Sequence, residues 1–237
     1  MGIYLLIHGS WHGAWCWDKI IPLLERDGHD VITLDLPGHG GDTTPTSEVT
    51  LQSYADSICR VLDAQSQPVI LVGHSMGGIA ISQAAEYRPE KIKALIFLSA
   101  FLLRDGESLS DVALFDKDSL IPPNIITDES QGIATFREDA ITNTFYGNCS
   151  EADRTWAKSR LCPEPLAPLT TPLKISEANF GKVPRLYIEC LKDAAVSLKS
   201  QRQMHMATPC YKVLTMNTDH SPFFCAPKEL TKNLLAV

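Results

Sequence analysis

No apolar run in the sequence approaches the roughly 20 residues that a bilayer-crossing helix needs. The first residues, MGIYLLIHG, lack the basic n-region and small-residue cleavage site of a signal peptide. Leu6 stands where a myristoylation pattern starting at Gly2 requires Ser or Thr. Neither a membrane partner nor secretion is expected. Positive charge is also scarce: 21 Lys and Arg face 28 Asp and Glu, for a net charge of -7. Without a basic cluster to meet phosphates, a nucleic-acid partner is not expected. The seven cysteines are odd in number, scattered and without CxxC spacing. That pattern argues against a disulfide framework and a zinc site, so no metal is expected, and a reducing cytoplasm is the expected compartment. Internal repeats and low-complexity segments are missing too.

What is present suits one mid-sized domain of 237 residues with a substantial core. In the first half, IYLLI (3–7), VITL (31–34), VILV (69–72) and ALIFL (94–98) are apolar on both faces, as in the central strands of a helix-covered parallel sheet. Between them Leu51, Tyr54, Ala55, Ile58, Val61 and Leu62 fall on one helical stripe. A second helix is predicted from Met76 to about Tyr87, closed by Pro89. Alternating strands and helices predict an α/β fold.

The rhythm breaks after Ala100. Prolines at 122, 123, 163, 165, 168 and 172 accompany two modest helical patterns, around Ile133–Asn143 and Glu151–Arg160, with no clear buried strand. Sheet patterning resumes with RLYIEC (185–190) and YKVLTM (211–216). The expected organisation is a core of residues 1–101 and 181–237, with residues 102–180 inserted as a cap.

The segment VILVGHSMGG (69–78) is a strand running into G-x-S-x-G and then a helix, the context of a nucleophile elbow. Such a turn holds Ser75 out at the carboxyl edge of the sheet. Gly73 and Gly77 are needed where a side chain would meet neighbouring backbone. A serine nucleophile requires a base, and the base an orienting acid, in the chain order Ser, Asp/Glu, His. Asp193 and His220 each stand just past the end of a later predicted strand. Asp105 and Asp219 are the rival acids and His205 the rival base. His29, His39 and His74 lie too early in the chain.

HGSWHGAWCW (8–17) holds two histidines four residues apart, but on a glycine-bearing loop rather than a helix, so the spacing implies no shared metal face. His8 is expected to brace the loop. His12, Trp15 and Trp17 are expected to anchor it, with Trp11 bordering a substrate pocket.

Together HGSWHGAWCW, LDLPGHG (34–40), ILVGHSMGG, FLSAF (97–101), FGKVPRLYIEC (180–190) and DHSPFF (219–224) resemble the α/β-hydrolase superfamily, in particular the plant methylesterase and hydroxynitrile lyase group. The resemblance spans nearly the whole chain. It implies an α/β-hydrolase fold, a mostly parallel sheet flanked by helices with an inserted cap. It also implies Ser75 as nucleophile, His220 as general base and Asp193 as its partner. The backbone N–H groups of Ser10 and Met76 would form the oxyanion hole, and no organic cofactor is needed.

The group includes two chemistries. Lyases resembling one branch carry Thr in place of Gly9 and Lys directly after the catalytic His; the other lyase branch carries Asn in place of Gly9. This chain has Gly9 and Ser221, so the ammonium that would stabilise departing cyanide is missing. Gly9 is expected to leave room at the substrate for a tetrahedral acyl intermediate. The expected function is a serine carboxylesterase acting on a small, largely apolar ester. The alternatives are a hydroxynitrile-type C–C lyase and a ligand sensor that retains the triad. A homodimer is left open.

Overall fold

A computed structural model describes residues 2–237. Strands β1 (Ile3–Ile7), β2 (Asp30–Leu34), β3 (Val69–His74) and β4 (Ile92–Leu98) alternate with helices α1 (Ile21–Arg26), α2 (Leu51–Asp63) and α3 (Gly77–Tyr87). A long stretch then carries α4 (Leu109–Phe115), β5 (Ile125–Asp128), β6 (Ile133–Phe136), α5 (Glu138–Phe145), α6 (Glu151–Lys158), β7 (Glu164–Pro165) and α7 (Leu166–Thr170). The chain closes with β8 (Arg185–Cys190), α8 (Leu198–Ala207), β9 (Lys212–Met216), α9 (Pro222–Cys225) and α10 (Pro227–Leu234).

Six strands form one sheet in the order β2-β1-β3-β4-β8-β9, parallel at every pairing. Side chains alternate across it. Leu5, Leu71, Leu95, Phe97 and Tyr187 join Tyr54, Ile58 and Ile81 of α2 and α3 on one face. On the other, Leu6, Val72, Ile96 and Leu186 pack with Trp17, Leu24, Phe223 and Leu230. The chain leaves β1 for β2 on one side and returns to β3 on the other, which opens a crevice at the carboxyl ends of the strands.

Local signals explain most element boundaries. Thr50 and Ser53 cap α2 reciprocally: Thr50 Oγ1 accepts from the Ser53 N–H at 3.0 Å, and Ser53 Oγ accepts from the Thr50 N–H at 2.9 Å. Every residue of β3 is buried, as its apolar run predicts. In contrast, β2 is an edge strand whose apolar residues are only half-buried. Apolar residues on both faces of VITL report strand propensity, not the number of neighbouring strands.

The stretch between β4 and β8 departs from expectation. Ile133–Phe136 is a strand, not the start of a helix, and pairs antiparallel with β5 and β7 in a small second sheet. The helix on that pattern begins only at Glu138. β-Branched and aromatic residues in IATF favour extended backbone, and the partners that realise it are strands too short to stand out in the sequence. The second pattern is a helix, α6, with Ser150 Oγ accepting from the Asp153 N–H at 3.2 Å at its start.

Candidate active site

Ser75 follows β3 directly, and its φ of 53° is in the left-handed region that side chains disfavour. Two other non-glycine residues share that conformation, Trp11 after β1 (φ 62°) and Ser99 after β4 (φ 44°). All three stand past the carboxyl ends of neighbouring strands. Strain of this kind costs on the order of 1–3 kcal/mol per residue and persists only where the surroundings over-determine it. At Ser75 the carbonyl accepts from the N–H groups of Gly78 at 3.0 Å and Phe101 at 3.1 Å, while its own N–H reaches the Leu98 carbonyl at 3.2 Å. The turn also needs its glycines. A Cβ on Gly73 would stand 2.8 Å from the Gly77 carbonyl oxygen, and one on Gly77 would stand 2.6 Å from that of His8.

The His220 ring is buried in the loop after β9, and Nδ1 lies 2.7 Å from Asp193 Oδ2 in the loop after β8. With Nδ1–H given to the carboxylate, the neutral ring presents Nε2 as its proton acceptor. The Asp193 carboxylate is saturated. Oδ1 accepts from the N–H groups of Ala195 at 2.7 Å and Val196 at 2.9 Å. Oδ2 accepts from His220, from the Ser99 hydroxyl and, at 3.4 Å, from the Gln201 amide. His74, beside the serine, donates from Nε2 to the His220 carbonyl at 2.8 Å, and the two rings lie 4.5 Å apart.

The rival groups are committed elsewhere. Asp105 accepts from the Ile175 N–H at 2.9 Å. Asp219 accepts from the N–H groups of Asn148 at 2.6 Å and Ser221 at 2.9 Å, and from the thiols of Cys149 and Cys225. Those two sulfurs and the Asp219 carboxylate gather within 4.8 Å of one another, a grouping that cysteine spacing in the sequence did not suggest. His205, on α8, faces Glu189 of β8.

In the loop after β1, His8 donates from Nδ1 to the Gly9 carbonyl at 2.8 Å and accepts at Nε2 from the Leu36 N–H at 3.1 Å. His12 donates from Nδ1 to the Ser10 carbonyl at 2.7 Å, and its Nε2 meets the Tyr146 hydroxyl at 2.6 Å. Burial is the main cause that lowers both rings, His8 well below the usual histidine range and His12 to about 4. Burial likewise lowers His74. Among the described residues, the backbone N–H groups of Ser10 and Met76 donate to no protein acceptor. Ser10 and Ser75 border a cavity of about 180 Å³. Its other walls are mainly apolar: Trp11 and Phe101 line it together with Leu109, Ile121, Ile125 and Leu169 of the stretch between β4 and β8. Gly9 does not line it. A Cβ on Gly9 would stand 2.7 Å from the Ser75 Cβ, so the room expected there for substrate is filled by Ser75 itself.

Sequence reasoning missed Ser99, Gln201 and Glu164. The only available signals were the position of Ser99 just past a predicted strand and an acidic residue in an otherwise apolar, proline-rich run.

The alpha/beta hydrolase family profile matches residues 4–232. Methylesterase 2 of Arabidopsis thaliana is 34% identical over 249 residues, covering 99% of this chain and 95% of that protein. The chain spans less of other relatives, 63% of the Arabidopsis thaliana putative methylesterase 11, chloroplastic, at 33% identity and 99% of this chain. Among solved structures, polyneuridine aldehyde esterase superposes with a TM-score of 0.85 at 28% identity, covering 99% of this chain and 98% of the other. A pyrethroid hydrolase from Sphingobium faniae JZ-2 gives 0.88 at 27%, covering 99% and 96%. This chain belongs to the alpha/beta hydrolase family. Its relatives place it among the carboxylic ester hydrolases of that family.

Proposed function

We propose that the protein is a serine carboxylesterase that cleaves a small, largely apolar ester through an acyl-enzyme. The observation that carries this reading is Ser75, held in a left-handed conformation on the wall of a mainly apolar cavity, with the Ser10 and Met76 N–H groups uncommitted. His220 Nε2 takes the Ser75 proton as Oγ attacks the ester carbonyl. Asp193 holds the imidazole in that tautomer and stabilises the imidazolium. The Ser10 and Met76 N–H groups receive the oxyanion, a kind of contact worth on the order of 10²–10³ in rate. Collapse of the tetrahedral intermediate breaks the C–O bond, and His220 returns its proton to the leaving alcohol. Water, deprotonated by the same histidine, then releases the acid and restores Ser75.

Cavity size argues for a small substrate group. The space of about 180 Å³ is close to the ~150 Å³ of an apolar cavity that holds benzene. Methyl esters of small aromatic or branched acids suit it, consistent with relatives named methylesterases. Residues 102–180 act as the cap in this reading, since much of the cavity wall comes from them. Lyase chemistry is disfavoured by Ser221, which offers departing cyanide no ammonium. We assign the protein to the cytoplasm, in keeping with seven free cysteines; no described helix is long and apolar enough to cross a membrane. The test is hydrolysis of p-nitrophenyl and methyl esters by wild type and Ser75→Ala. Loss of turnover with an intact fold is expected; retained activity overturns the mechanism.

A further inference from the structure

Trp11 has three hydrogen-bonding groups, and all three are held by the stretch between β4 and β8. Its N–H donates to Glu164 Oε2 at 3.0 Å, its carbonyl accepts from the Cys162 N–H at 3.0 Å, and its indole N–H donates to the Ala134 carbonyl at 3.0 Å. Glu164 and Ala134 are themselves paired across the small second sheet. The left-handed backbone of Trp11 is thus clamped from outside its own loop.

Glu164 is the one charged side chain in that clamp, and it is completely buried. Besides Trp11, its carboxylate accepts from the Tyr54 hydroxyl at 3.3 Å and from His39 Nε2 at 3.0 Å. The other nitrogen of His39 faces the Pro37 carbonyl at 3.2 Å, so both ring nitrogens have acceptors and the ring is suited to be an imidazolium. Burial opposes charge on His39, but Glu164 outweighs it and raises the ring above its usual value. A buried carboxylate without such partners would not be tolerated.

The peptide between Ser10 and Trp11 is pinned at both ends, its carbonyl by His12 and its N–H by Glu164. Fixing that plane limits how the preceding Ser10 N–H can turn.

We infer that Glu164 is a positioning residue for catalysis: it holds the loop after β1 so that the Ser10 N–H points at the developing oxyanion. The inference rests on the proposed esterase reading. It also makes the oxyanion hole a joint product of the α/β core and the inserted stretch, since the core alone leaves the Trp11 N–H without an acceptor.

The test compares wild type with Glu164→Leu, Glu164→Asp and Glu164→Gln on a p-nitrophenyl ester. It adds inhibition by an aryl trifluoromethyl ketone, which forms an oxyanionic adduct with serine, and by the matching unfluorinated ketone, which binds without one. Leucine removes every acceptor, and kcat is expected to fall about 100-fold with KM within threefold, in line with a misdirected oxyanion donor. Affinity for the fluoroketone falls in parallel, while that for the plain ketone stays. Glutamine can turn its carbonyl oxygen to the Trp11 N–H and restores kcat to within about tenfold of wild type. Aspartate, one methylene short, keeps the charge but loses kcat; it serves as the deciding variant if leucine prevents folding. An active wild type matched in kcat and fluoroketone affinity by the folded leucine or aspartate variant overturns the proposal alone. A wild type with neither turnover nor adduct overturns the esterase reading and the proposal with it.

Discussion

Ser99 donates its hydroxyl hydrogen to Asp193 Oδ2, the same oxygen that accepts from His220. The contact exists because Ser99 takes a left-handed conformation (φ 44°) immediately after β4. Ser99→Ala keeps the strain and loses the hydrogen bond. Kcat/KM is expected to fall about tenfold, equivalent to ~1.4 kcal/mol. Ser99→Gly loses the same bond but relieves the strain, and is expected to match that rate while unfolding at higher denaturant than Ser99→Ala. Unchanged steady-state kinetics in both variants would remove Ser99 from the supporting network.

Gly9 is backed against the turn that carries Ser75. A methyl group there meets the Ser75 Cβ at 2.7 Å and His74 Nδ1 at 3.0 Å. Gly9→Ala is expected to cost about 1–3 kcal/mol in stability by overpacking and to cut kcat by at least tenfold through displacement of Ser75. Denaturant titration and initial rates read the two effects separately; full activity would show that the turn can shift at no cost.

The three histidines lowered by burial, His8, His12 and His74, make the fold acid-sensitive. A folded-state value below the unfolded one means the unfolded chain binds the proton first, so stability is present above pH 6.5 and is lost as pH falls. For His12 the window runs from 6.5 down to about 4, and within it each such group contributes up to ~1.4 kcal/mol per pH unit. His39, raised by Glu164, acts in the opposite sense, favouring the acid side. Three against one leaves unfolding free energy rising between pH 5 and 6.5, and His12→Gln should flatten that slope by about one proton. Equilibrium denaturation across that range, for both proteins, checks the sign and the difference.

Ala113 on α4 lines the same cavity as Ser75. Filling it with Ala113→Trp should lower kcat/KM for a benzoyl ester by at least tenfold while acetyl ester hydrolysis changes less than threefold. Equal losses on both substrates would place acyl binding outside this cavity.

Much of this protein was legible in its residues. Buried apolar runs ending in turn residues specified strands, a 3.6-residue stripe specified α2, and G-x-S-x-G between a strand and a helix located the elbow, because backbone sterics and burial act locally. Chain order nominated Asp193 and His220 without any distance. Strand position in the sheet is not legible: VITL reads as a central strand and stands at the edge. Nor is the small sheet formed by IITD, IATF and EP, whose strands exist only because they pair.

What only the tertiary structure decided is how groups from different elements meet. Ser99 and Gln201 reach Asp193 from β4 and α8. Glu164 reaches Trp11 across 153 residues of sequence. Hydrogen bonds to a buried carboxylate depend on direction and distance over about an ångström, and nothing in residue order encodes that; packing of the sheet, its helices and the stretch between β4 and β8 does.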